Sequence, residues 1–137
     1  MNIIRNILAV VVGAFLGGLV NMAIVMAGPM LIAPPAGADM TTVEGLTAAM
    51  PLLQPKHFIA PFLAHAIGTL VGALIAYLIA ASYRNVLAYV VGVLFLIGGI
   101  SACFLIPAPT WFMALDLIVA YLPMAWLGIA IGRKISS

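Results

Sequence analysis

An all-α membrane bundle of four transmembrane helices is the fold class this sequence predicts, on three observations. The chain is 66% hydrophobic and 6% charged, with a mean hydropathy of +1.32. A soluble domain of 137 residues needs far more charge to cover its surface. Four apolar runs stand out, at about 7–27, 58–82, 86–106 and 111–132. Each can cross a hydrocarbon core of about 30 Å at about 1.5 Å per residue. The alternating polarity of transmembrane β-strands is missing. One domain over 1–137 follows, with a long external loop at 28–57.

The first run follows Arg5 and has the look of a signal peptide. It is about twice as long as a signal core, and Ala27-Gly28-Pro29 is a poor cleavage site, so it reads as a retained anchor. The loop opens on turn and extended chemistry at Pro29, Pro34, Pro35 and Gly37. Thr41-Thr42-Val43-Glu44 then reads as a capping box, with Thr41 as N-cap and Glu44 reaching back. A short amphipathic helix to about Met50 is expected, stopped by Pro51. Its apolar residues Val43, Leu46 and Met50, with Leu53 beyond, would lie on the bundle or among headgroups. The piece is either a lid or a connector resting on the surface.

The later connections, 82–85 and 107–110, are short enough to make antiparallel hairpins of spans two to four. Pro61 belongs to the first turn of span two, where its missing donor matters little. Pro123 lies inside span four and predicts a kink that opens the bundle. Trp111, Trp126, Tyr83 and Tyr89 read as belt residues.

Five positive charges orient the chain. With alternating spans, Arg5, Arg84, Arg133 and Lys134 fall on one side and Lys56 alone on the other. The positive-inside rule then puts both termini in the cytoplasm of a cell membrane, of bacterial inner-membrane type. The net charge of +2 is thus topology, and nucleic acid is not an expected partner. The bilayer is one partner. Four spans make a thin bundle, so a homo-oligomer or a heteromeric membrane partner is a second.

Counting residues from the outer boundary gathers the polar groups into one layer. Asn21, His65, Ser101 and Asp116 each lie roughly 5 to 11 Å below it. Asp116 is the only acid inside the spans, and a carboxylate or imidazole in hydrocarbon is expensive. Helical phase turns these groups inward on small-residue rows: Gly13, Gly17 and Asn21; His65, Gly68, Gly72 and Ala76; Gly98 and Ser101; Asp116, Ala120 and Pro123. Gly128 and Gly132 give a further close approach. His65 and Asp116 are the candidate ligand- or proton-binding pair, with Asn21 and Ser101 supporting, and Glu44 and His57 could fold in from the loop.

Metal and cofactor chemistry find little support. His65 and Asp116 make two ligands where zinc takes three or four. Met22, Met26, Met30, Met113 and Cys103 are soft donors suited to Cu(I), but methionine serves mainly as packing. No metal and no cofactor is expected. The lone Cys103 excludes an internal disulfide or a CxxC centre. No serine nucleophile motif, phosphate loop, dinucleotide fingerprint or HExxH occurs, and Ser101 is a nucleophile candidate by proximity only.

In size and span number the chain resembles the small multidrug-resistance transporters and the small fluoride channels. The resemblance covers architecture alone and carries over no residues. The first family has an essential glutamate in span one, where this chain has Asn21. The second often inserts in both orientations, against the charge bias here. The function expected from the residues is binding or translocation of a proton, ion or small polar solute through the outer polar layer. The rival is a non-catalytic accessory or assembly subunit, and an intramembrane enzyme or metal-binding protein comes third.

Overall fold

A computed structural model describes residues 2–137, and all regular structure among them is helical. Six α-helices follow in order: α1 (Asn2–Leu31), α2 (Val43–Ala49), α3 (Ile59–Ile79), α4 (Arg84–Leu105), α5 (Thr110–Val119) and α6 (Leu122–Ser136). Short 3-10 turns at Met50–Leu52 and Pro55–Phe58 lead from α2 into α3. Four helical stretches are long and apolar enough to cross a membrane: Asn2–Leu31, Pro55–Ile79, Arg84–Leu105 and Thr110–Ser136. The chain is thus a multi-pass membrane protein.

α3 is the central helix, and small residues let its neighbours approach. On α1, a β-carbon added to Gly13 would lie 2.6 Å from the Gly72 carbonyl oxygen, and one on Gly17 2.6 Å from that of Gly68. On α6, a β-carbon added to Gly128 would lie 2.7 Å from the Leu70 carbonyl oxygen, and Gly132 lies against the Tyr77 ring. Such contacts hold membrane helices by close van der Waals packing, since lipid tails are as apolar as the side chains. The outward faces of α1 and α4 carry exposed apolar residues such as Ile7, Val11, Phe15, Ile97 and Phe104.

One end of the bundle is clamped by Asn6. Its Oδ1 accepts the amides of Ala81 at 2.9 Å and Ser82 at 3.2 Å, and its Nδ2 donates to the Ser82 hydroxyl at 2.9 Å. Arg5 donates to the Ile79 carbonyl and Arg84 to that of Ala80. The arginine bonds satisfy carbonyls that the end of α3 would leave orphaned, and Asn6 satisfies the amides of the turn that follows. With Gly132 against Tyr77, they gather Arg5, Arg84, Arg133 and Lys134 at the terminal end. Lys56, just before α3, lies at the opposite, loop end.

Three local expectations need correction. α1 does not stop near Ala27 but continues through Gly28 and Pro29 to Leu31, closed by Ile32 N–H donating to the Gly28 carbonyl. A proline so near a helix end removes one bond and breaks nothing downstream. The N-cap of α2 is Thr42, in extended conformation, whose hydroxyl accepts from the Gly45 amide at 2.9 Å. Thr41 instead donates its amide and hydroxyl to the Asp39 carboxylate, and Glu44 is exposed. Those two bonds hold the Asp39 carboxyl below its ordinary range. Finally, the fourth apolar run is two helices. Tyr121, at φ −111° and ψ −80°, separates them, and Pro123 takes the first turn of α6. The expected kink is a complete break.

Candidate functional site

The site is built at that break. Phe58 at the head of α3 packs against Phe112 at 4.7 Å and Trp111 at 5.5 Å between ring centroids, fixing α5 to α3 at the loop end. Asp116 follows one turn down α5 and is buried, with 5% of its surface exposed. Nδ1 of His65 on α3 lies 2.8 Å from Oδ1 and 2.9 Å from Oδ2 of Asp116. The Tyr121 hydroxyl donates to Oδ2 at 3.1 Å. The Tyr121 ring also stacks on His65, with centroids 5.8 Å apart and planes 25° apart. Gly99 of α4 makes the room, because any β-carbon there would collide with the Tyr121 hydroxyl.

The hydrogen-bond pattern restricts the chemistry. One proton lies between Nδ1 and the carboxylate, whichever of the two holds it. Nε2 of His65 has no hydrogen-bond partner among the described residues. Every fully buried side-chain nitrogen or oxygen among them does have one, so Nε2 retains accessible surface. When Asp116 is ionised and His65 neutral, Nε2 is a lone pair that accepts. One further proton makes it an N–H that donates and takes the pair from net negative to neutral. A carboxylate that orients an imidazole through one nitrogen leaves the other for a ligand.

His65 borders two spaces. A cavity of about 240 Å³ lies under the loop. Its walls come from Met40, Leu46, Met50 and Leu53 above and from Ala102, Cys103 and Met113 at the sides, with His65 and Asp116 at the base. The second space, about 280 Å³, is a groove between α1 and α4, lined by Gly18, Asn21, Gly98, Gly99, Ala102, His65 and Tyr121 among others.

The structure brings His65 and Asp116 together and leaves their expected helpers elsewhere. Asn21 lines the groove and makes no hydrogen bond to the pair. Ser101 is exposed and donates to the Ile97 carbonyl at 2.9 Å, so it does not join the site. α4 presents Gly99 and Ala102 there instead. Glu44 is exposed on α2 and lines neither space. His57 borders the cavity but is engaged: Nδ1 accepts from the Gln54 amide at 2.8 Å and Nε2 lies 3.1 Å from the Ala33 carbonyl. Tyr121 is the member of this cluster that the sequence did not single out.

Met22, Met26 and Met30 are exposed on α1, away from Met113 and Cys103 in the cavity wall. Among the described residues, no three His, Cys, Asp or Glu side chains gather as a metal site. Comparison with protein-family models, with curated proteins and with solved structures gives no match to this chain.

Proposed function

We propose that this protein binds a proton or small solute at Nε2 of His65, within the half of the membrane nearer the long loop. The loop end faces outside and both termini lie in the cytoplasm, in keeping with four positive charges at the terminal end against one at the loop end. Asp116 is the positioning residue: it orients the imidazole through Nδ1. Tyr121 holds the second carboxylate oxygen and covers one face of the ring. A single observation carries the reading: a buried carboxylate, bonded from α3 and from the α5–α6 break, orients an imidazole that lines a cavity and whose other nitrogen has no partner among the described residues.

The test is ¹⁵N-histidine spectroscopy of the protein in nanodiscs. The Nε2 resonance of His65 is followed during pH titration and on addition of ammonium or a short alcohol. A response of Nε2 that disappears in Asp116→Asn while the helical content is kept supports the reading. A resonance insensitive to pH and to both probes sinks it. Proton flux into proteoliposomes with a trapped pH-sensitive dye separates translocation from binding.

One observation favours a second reading, an accessory subunit in which the triad is a strut. Asp116 is almost wholly buried, with both oxygens engaged. On that reading Asp116→Asn lowers stability, and Nε2 responds to no probe.

A further inference from the structure

We infer that the His65 site is loaded from within the bilayer, and that its ligand is a membrane-dissolved amphiphile with a slender apolar body and one hydroxyl head. This rests on the reading of Nε2 as the ligand-facing atom and names the ligand class for that site.

The polar inventory of the cavity sets the head group. Both nitrogens of His57 and both oxygens of Asp116 are already engaged. Nε2 of His65 and the Cys103 thiol are what the walls still offer. A solute with several polar groups would surrender its water and gain one strong hydrogen bond, a losing exchange. A single hydroxyl matches the site in either protonation state, because it donates to the Nε2 lone pair or accepts from the Nε2 N–H. The remaining walls are apolar and suit a hydrocarbon body.

The glycines mark the entrance. In the four membrane-crossing stretches, Gly13, Gly17, Gly28, Gly68, Gly72, Gly92, Gly99, Gly128 and Gly132 are each pressed against a neighbouring helix. Gly18 and Gly98 alone look onto open space. Helix packing therefore does not account for these two, and both line the same groove between α1 and α4. That groove ends at His65, Gly99 and Ala102, which are also walls of the loop-side cavity. The two spaces meet at one imidazole. Asn21 stands in the groove wall with its amide free of partners among the described residues, a first hydrogen bond for an arriving hydroxyl.

On the loop side the approach is lined by apolar side chains. Met40, Leu46, Met50 and Leu53 lie over the cavity, and His57 ties the covering segment to Ala33 on one side and Gln54 on the other.

The experiment uses the full chain in nanodiscs with a long-chain alcohol that carries a photoactivatable diazirine in its chain, and ethanol as a water-soluble control. Adducts are mapped by mass spectrometry and the His65 Nε2 resonance is recorded. Adducts concentrated at residues 18–21 and 94–102, with an Nε2 shift, are expected. Both should fall by an order of magnitude in Gly98→Leu and in Gly18→Leu, where the new side chain enters open space and the fold is retained. If ethanol shifts Nε2 while long-chain adducts scatter over the exposed faces of α1 and α4 and ignore both substitutions, bilayer loading is overturned and the site reading stands. If neither alcohol moves Nε2, the hydroxyl amphiphile is overturned, and the site reading falls with it only where pH and ammonium also leave Nε2 unmoved.

Discussion

The hydroxyl of Tyr121 donates to Oδ2 of Asp116 although the two residues stand five apart in sequence. In a straight helix they would point about 140° away from each other. The break between α5 and α6 removes that separation and turns the ring back over His65. The bond is therefore tertiary in character. Tyr121→Phe should lower the free energy of unfolding in mixed SDS micelles by about 1 kcal/mol, the usual order for one membrane hydrogen bond. Asp116→Ala should cost more, about 1–3 kcal/mol, because it removes the acceptor of two largely buried donors. Equal losses from the two variants would mean that Asp116 contributes no more than its bond to Tyr121.

Two adjacent glycines offer a sharper contrast. Gly99 has the Tyr121 hydroxyl where a side chain would begin, whereas Gly98 has nothing within 4 Å. Gly99→Ala should displace Tyr121 and destabilise by about 1–3 kcal/mol, the common cost of overpacking. Gly98→Ala should fall within about 0.5 kcal/mol of the parent or gain slightly from helix propensity. The same unfolding assay decides, and a larger loss at Gly98 would contradict the packing described here.

Much of this architecture was legible in the sequence. Apolar runs gave the four stretches because hydrocarbon thickness restricts their length. Counting depth brought His65 and Asp116 level, and the rows Gly13–Gly17 and Gly68–Gly72 do lie against one another. Ser101 was misplaced because a serine in a helix can bond its own Ile97 carbonyl and need not face inward. Tyr121 was missed because its reach to Asp116 depends on a break whose location Pro123 indicates but whose torsion at Tyr121 it does not specify. Asn6 was missed because its partners are backbone amides, which leave no mark in composition.

Asn6 supports a third prediction. Its side chain supplies three hydrogen bonds to the turn after α3, two of them to amides that otherwise lack partners. Asn6→Leu keeps the volume and the apolar character but removes all three. The amides of Ala81 and Ser82 should then exchange with solvent at least several-fold faster, with the rest of α3 little changed. Unaltered exchange at both amides would refute the clamp.

The loop carries a pH dependence of definite sign. Hydrogen bonds from Thr41 depress the Asp39 carboxyl below its ordinary value of 3.8. A carboxyl lowered in the folded state contributes stability above its unfolded value and loses it as pH falls through the folded one. The turn at 39–41 should therefore be intact near neutrality and loosen below about pH 3.8, read from the Thr41 amide shift. Thr41→Ala should weaken that dependence and spare α2. Thr42→Ala should leave most of the dependence in place and fray α2, since an N-cap contributes about 0.5–2 kcal/mol. The reverse pattern would restore Thr41 as the cap.

Pro123 tests whether the break itself builds the site. As the second residue of α6 it lacks the N–H that would bond the Val119 carbonyl in a continuous helix. Pro123→Ala supplies that donor and allows α5 and α6 to join. Joining them would carry Tyr121 around the axis and away from Asp116, so the Tyr121 bond should be lost without any change at Tyr121. A double-mutant cycle makes this measurable: once Pro123→Ala is present, Tyr121→Phe should cost close to nothing, giving a coupling of about 1 kcal/mol. The Nε2 resonance of His65 should shift in both single variants, because each removes the same hydroxyl from the same carboxylate. Strict additivity of the two substitutions would mean that the break survives without Pro123, held by the packing of Ala120 and Ala125 against their neighbours.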